Sequence, residues 1–169
     1  MGNMQTYTGK GFDPLNPDEE LIFIEDIAHA LSMQCRYNGH TERFYSVAQH
    51  SVLVSRILPT YLKMAGLLHD AAEAYLGDLI RPVKQEISKY QIIEANLMIA
   101  VRHAFGLPAL SVIGKREILE ADNRVLTTEA RDLLKHPLIP GWDWIKEIEP
   151  MPDTIHPMEH GEAEVAFML

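Results

Sequence analysis

Leu68-His69-Asp70-Ala71-Ala72-Glu73 sets an adjacent histidine and aspartate, with a glutamate close behind, into an otherwise apolar run. His50 stands upstream of it and Asp122 downstream. Two imidazoles and two carboxylates form a donor set that a borderline divalent ion takes in a hydrolytic centre, and no other stretch of the chain offers a comparable constellation. Around this run Leu62, Ala65, Leu68 and Ala72 recur at helical spacing, which predicts one helix over residues 61–75. Neighbouring helical residues diverge by about 100°. His69 and Asp70 can therefore share an ion only if it lies against that helix and other segments complete the shell. Glu73, four residues after His69 and three after Asp70, falls on the same side of the helix, as suits a proton-transfer group.

Those other segments also read as helices. His50 belongs to one opened by Ser46, with Gln49 three residues on in a capping-box pattern, and ended by Pro59. Asp122 lies in a periodic segment over residues 115–134 that carries Ile118, Leu119, Val125 and Leu126. Crossing helices can bring such ligands together in a bundle core. Further helices are expected over residues 27–37, capped by Asp26 and stopped at Asn38-Gly39, over 88–105, closed by Gly106 and Pro108, and from Pro157 through 167. Residues 9–18 read as a loop and 21–24 as a short extended piece. Residues 135–157 hold five prolines and both tryptophans, so they form an irregular strap, with Trp142 and Trp144 expected as core anchors or an oligomer contact. The expectation is an all-α fold, a compact helical bundle with irregular loops, forming a single domain over 1–169.

Composition narrows the function. A chain of 169 residues can bury roughly 70% of its unfolded surface. With 24 acidic against 15 basic residues, the net charge of −9 argues against a surface for duplex nucleic acid. A local cluster of Arg36, Arg43, Arg81 and Lys84 can still hold a small anion. The lone Cys35 excludes an internal disulfide, fits a reducing compartment and is expected to pack in the core. The start of the chain lacks the pattern of a signal peptide, and no apolar run is long enough to span a bilayer, so a cytoplasmic location is expected. His29, His103, His136, His156 and His160 are expected to be packed or surface residues.

Taken in order, Val47-Ala48-Gln49-His50-Ser51, then Leu68-His69-Asp70-Ala71-Ala72-Glu73 with Leu76-Gly77-Asp78-Leu79 and Arg81-Pro82-Val83-Lys84, then Glu120-Ala121-Asp122, resemble the HD-domain metal-dependent phosphohydrolases. The wording is similar to that of bacterial 5′-deoxynucleotidases and of phage deoxynucleotide triphosphohydrolases such as those acting on dATP. The resemblance implies a divalent ion (Mn²⁺, Co²⁺, Zn²⁺ or Mg²⁺) held by His50, His69, Asp70 and Asp122. It implies that Glu73 activates or orients the attacking water and that Asp78 assists near the leaving group. It also implies that Arg36, fourteen residues before His50, binds phosphate. Where deoxynucleotidases carry Arg-Trp, this chain reads Arg36-Tyr37-Asn38-Gly39-His40, in the segment that lines their sugar and base pocket, so base preference stays open. Tyr37, His40, Arg81 and Lys84 join Arg36 as candidate substrate-binding residues. The expected partners are a nucleotide substrate and further copies of the chain, as a dimer or hexamer. A signalling-nucleotide hydrolase and a catalytically silent nucleotide-binding module are the alternatives.

Overall fold

The computed structural model describes residues 3–136 and 139–169. Eight α-helices dominate them: α1 (Ile24–Met33), α2 (Val47–Ile57), α3 (Lys63–Leu67), α4 (Glu73–Leu76), α5 (Arg81–Glu86), α6 (Ser88–Ala104), α7 (Val112–Leu133) and α8 (His160–Met168). A two-stranded antiparallel ribbon, β1 (Met4–Gln5) with β2 (Gly11–Phe12), precedes them. The fold is all-α, as the helical periodicity implies. The ribbon falls partly in the stretch expected to be loop, and its Phe12 ring is fully buried against Tyr75.

The centre of the fold is α2. Ser46 caps it by accepting from the Gln49 backbone N–H at 3.1 Å, one half of the expected box. The Gln49 side chain turns elsewhere, donating to the His156 carbonyl and accepting from the Met158 N–H, both at 2.8 Å. It thereby ties the C-terminal strap to the core. On one side of α2, Val47, Ala48 and Val52 pack with Ile27 and Leu31 of α1, Leu97 and Val101 of α6, and Phe167 of α8. Further along, Val54 and Leu58 join Ile118 and Val125 of α7 with Ile155 of the strap. Burying side chains of this size is favourable by about 1.5–3 kcal/mol each, which fixes α2 and the polar residues it carries.

Several boundaries differ from the sequence-based expectation. Residues 61–75 do not form one helix. Backbone bonding tightens after α3, with Ala71 N–H donating to Leu68 O at 3.1 Å and Glu73 N–H to Asp70 O at 2.9 Å. That three-residue winding buries Leu68, Ala71 and Ala74 together and aligns Asp70 with Glu73. Gly66 permits the approach of α3 to α2, because a Cβ there would collide with the Leu58 side chain. Helix α1 starts at Ile24 and ends at Met33, not Tyr37, since Arg36–Gly39 forms a separate 3₁₀ turn with Tyr37 and Asn38 in the left-handed region. Asp26 is no cap: it is buried and accepts from Thr8 N–H and Thr8 Oγ1. Helix α7 begins at Val112, capped by Ser111, and α8 begins at His160 with a capping box between Glu159 and Glu162 instead of at Pro157. The 21–24 piece is extended only after a 3₁₀ turn at Glu19–Leu21. Cys35 is half-buried and not part of the core.

Candidate metal centre

Three elements meet at one point. His50 comes from α2, His69 and Asp70 from the tight turn between α3 and α4, and Asp122 from α7. Donor atoms of His50, His69 and Asp122 all lie within 4.8 Å of one another and could hold a metal ion. Asp70 Oδ2 joins them, 3.1 Å from His69 Nε2 and 3.8 Å from His50 Nε2.

The histidine tautomers favour such a role. His50 Nδ1 donates to Glu129 Oε1 at 2.6 Å and His69 Nδ1 donates to the Gly66 carbonyl at 2.8 Å. Both partners can only accept, so each Nδ1 carries a proton and each Nε2 is turned inward towards the carboxylates, as the atom that an ion would take. Both Nε2 atoms are buried without a hydrogen-bond partner. An orphaned polar atom is costly in a packed interior, and two of them beside two carboxylates fit a divalent ion held by imidazole and carboxylate. The carboxylate behind His50 is the usual outer support of such a ligand.

Charges are concentrated here. Burial opposes ionisation of Asp70 and Asp122, but the neighbouring imidazoles more than offset it, holding Asp70 well below the usual carboxylate range and lowering Asp122 as well. Burial likewise disfavours charge on His69, yet Asp70 holds its pKa up at about 9. Glu73 behaves oppositely: burial, then the charges of Asp70 and Asp78, push its carboxyl up to about 9. Its Oε1 lies 3.4 Å from Lys84 Nζ, while Oε2 is buried with no partner. A cation beside Asp70 would remove much of that repulsion and lower the Glu73 pKa. Asp78 is also raised, chiefly by burial.

A cavity of about 670 Å³ opens beside this point. Arg36, Tyr37, His40, Asp70, Glu73, Asp78, Arg81, Lys84 and Asp122 all line it, so the sequence-predicted substrate residues gather on one surface. Arg43 is not among them. Arg81 reaches within 3.7 Å of Asp122, and Lys84 also pairs with Glu94 at 2.6 Å. A smaller cavity of about 280 Å³, lined by Met98, Leu107 and Ile118, meets the centre at His69 and Asp122.

Arg36 does not sit in the last turn of a helix, where dipole attraction alone would explain it. Its side chain is buried within 3.3 Å of Glu129 and 3.7 Å of Asp70. Glu129 itself was not anticipated from the sequence. Fully buried on α7, it accepts from Tyr45 Oη at 2.8 Å, Tyr37 Oη at 2.6 Å and His50 Nδ1. Burial opposes its charge, but Arg36 and His50 hold its pKa far below the usual range. Trp142 and Trp144 line the large cavity, so they are not plain core anchors, and His136 joins them there. The other histidines follow expectation where their side chains have partners: His29 pairs with Glu164, and exposed His103 pairs with Glu19.

The fold and this cluster define an all-α protein with a part-buried His/Asp centre able to hold a metal ion. No family model matches the chain. It is similar to the protein named "Uncharacterized protein YfdR" of Escherichia coli (strain K12), at 40% identity over 135 residues, 79% of this chain and 73% of that one. It is also 42% identical over 137 residues to "Uncharacterized protein RCAP_rcc00048" of Rhodobacter capsulatus, 75% of this chain and 70% of that one. The chain belongs to the family that these two proteins represent. Among the described residues no helix is long and apolar enough to cross a membrane.

Proposed function

We propose that this protein is a metal-dependent phosphohydrolase of the HD-domain type that removes phosphate or polyphosphate from a deoxynucleoside 5′-phosphate in the cytoplasm. The observation that carries this reading is the convergence of two buried Nε2 atoms that lack hydrogen-bond partners with Asp70 and Asp122 at the wall of a cavity that also presents Arg36, Arg81 and Lys84. When bound, a divalent ion supplies a Lewis acid that polarises a phosphoryl oxygen and lowers the pKa of water from about 15.7 towards 7. The remaining work is positioning and charge stabilisation. Arg36, held in place by Glu129, grips a phosphate oxygen with its planar fork, and Arg81 and Lys84, which line the same cavity, add charge. Glu73 takes the proton of the attacking water. Asp78, which lines the same cavity, assists near the leaving group.

A panel of deoxynucleoside mono- and triphosphates, ribonucleotides and a guanosine tetraphosphate, incubated with protein reconstituted in turn with Mn²⁺, Co²⁺, Zn²⁺ and Mg²⁺, tests the reading. Chromatography should resolve a deoxynucleoside product. A signalling-nucleotide product would favour the second reading, and no product from any combination would leave a binding module. Glu73→Gln should keep the ion and lose about two orders of magnitude in kcat, the usual contribution of a general acid or base. Near-normal turnover in a metal-replete variant would reassign Glu73 to structure.

Self-association is part of the proposal. Ile92 and Ile99, seven residues apart on α6, are 62% and 49% exposed and share a helical face. Light scattering should give a mass of at least two chains, reduced by Ile92→Glu with Ile99→Glu. A monomer at micromolar concentration would defeat this expectation.

A further inference from the structure

The lining of the large cavity is of two chemical kinds. Asp70, Glu73, Arg36, Arg81 and Lys84 are charged. Tyr37, Trp142, Trp144, Leu126, Leu134 and Ile139 are aromatic or aliphatic. The whole chain has two tryptophans, and both line this single cavity. The Trp142 and Tyr37 rings lie 6.3 Å apart at 44°, and Trp144 is 37% exposed, unlike a core anchor.

The strap that carries the tryptophans is fastened to the helix that carries Asp122. Ile145, 4% exposed, packs with Leu126 and Ala130 of α7, and Trp142 packs against the same group. A 3₁₀ turn at Asp143–Glu147, with Trp142 at its N-cap and Trp144 within it, carries both indoles just ahead of that anchor. Leu126 and Ala130 lie one and two turns beyond Asp122, about 6 and 12 Å along the axis. The aromatic wall therefore stands at a fixed offset from the metal centre, as a 5′-nucleotide needs if its phosphate and its ring are to be held at once.

We propose that Trp142 and Trp144 form a stacking subsite for a planar aromatic heterocycle, the base of the nucleotide whose phosphate faces Arg36. Indole faces stack on any base, and the donors and acceptors of His136 and Gln85, which also line the cavity, are available to its edge. The subsite rests on the phosphohydrolase reading for the nature of the anion, but not for the ring.

Because both indoles line the cavity, tryptophan emission reports directly on its occupancy. The full-length chain, stripped of metal, is titrated with each of the four 2′-deoxynucleosides, which carry no phosphate, and with 2-deoxyribose. At least one nucleoside should change the emission saturably, and the sugar alone should not. Trp144→Leu and Trp142→Leu, each checked for folding by circular dichroism, should weaken that response roughly five- to a hundredfold, the fold-change that corresponds to one stacked base. KM for the best deoxynucleotide should rise by a similar factor, with a smaller effect on kcat. A saturable response in a chain that hydrolyses nothing would keep the subsite and sink the reaction. No response to any of the four up to millimolar concentration overturns the subsite, whatever the chain hydrolyses.

Discussion

His50→Ala and His69→Ala should each strip the protein of its divalent ion and take hydrolysis down to background. Purified chain should take up about one ion per molecule. Each ring offers Nε2 as a ligand atom that is buried and unpartnered, so removal of either ring breaks the set, and it also removes the Nδ1 hydrogen bond to Glu129 or to the Gly66 carbonyl. Asp122→Ala should act in the same way, because its carboxylate completes the cluster of three. His29→Ala is the control, since that ring pairs with Glu164 and stacks on Tyr7 at 3.7 Å, away from the centre. Elemental analysis after dialysis against a weak chelator decides the matter. Full occupancy in both histidine variants would remove the metal assignment.

Glu129→Ala should destabilise the protein by roughly 3–5 kcal/mol, the cost of breaking a buried ion pair from one side. The substitution leaves the buried Arg36 guanidinium with only Asp70, at 3.7 Å, as counter-charge. It also removes the acceptor for Tyr37, Tyr45 and His50. Arg36→Met combined with Glu129→Leu should recover part of the loss, since the two charges then disappear together. Urea unfolding with the metal chelated separates this effect from that of the ion. A loss below about 1 kcal/mol would mean that the network is solvated and contributes little.

The His50, His69 and Asp122 cluster was legible because residues able to hold a metal stand out as polar groups on apolar helices, where little else explains them. Glu129 was not. It follows Asp122 by seven residues, two helical turns, and so shares its face. Yet α7 also carries Glu117 and Glu120, which pair with Tyr61 and Arg116 on the outside, and the sequence does not distinguish a buried glutamate from these. The apolar stripe over residues 61–75 was real, but three-residue winding satisfies it as well as an α-helix does, because Leu68, Ala71 and Ala74 still face inward. The reach of Trp142 and Trp144 was hidden for a different reason: where an irregular strap lays its side chains depends on the surface that it crosses. The left-handed conformation at Tyr37 carries a cost for a bulky residue, and only the hydrogen bond to Glu129 makes it intelligible.

That hydrogen bond ties together two parts of the site that look separate. One carboxylate holds the ring of His50 through Oε1 and the hydroxyl of Tyr37 through Oε2. Tyr37 lines the large cavity, so a ligand that shifts its phenol also alters the tether behind a metal-facing histidine. Reciprocity follows: whatever factor the ion adds to ligand affinity along this route, the ligand adds to the affinity for the ion. Tyr37→Phe, which removes no candidate ligand atom, would then be felt as a change in how tightly the protein keeps its metal.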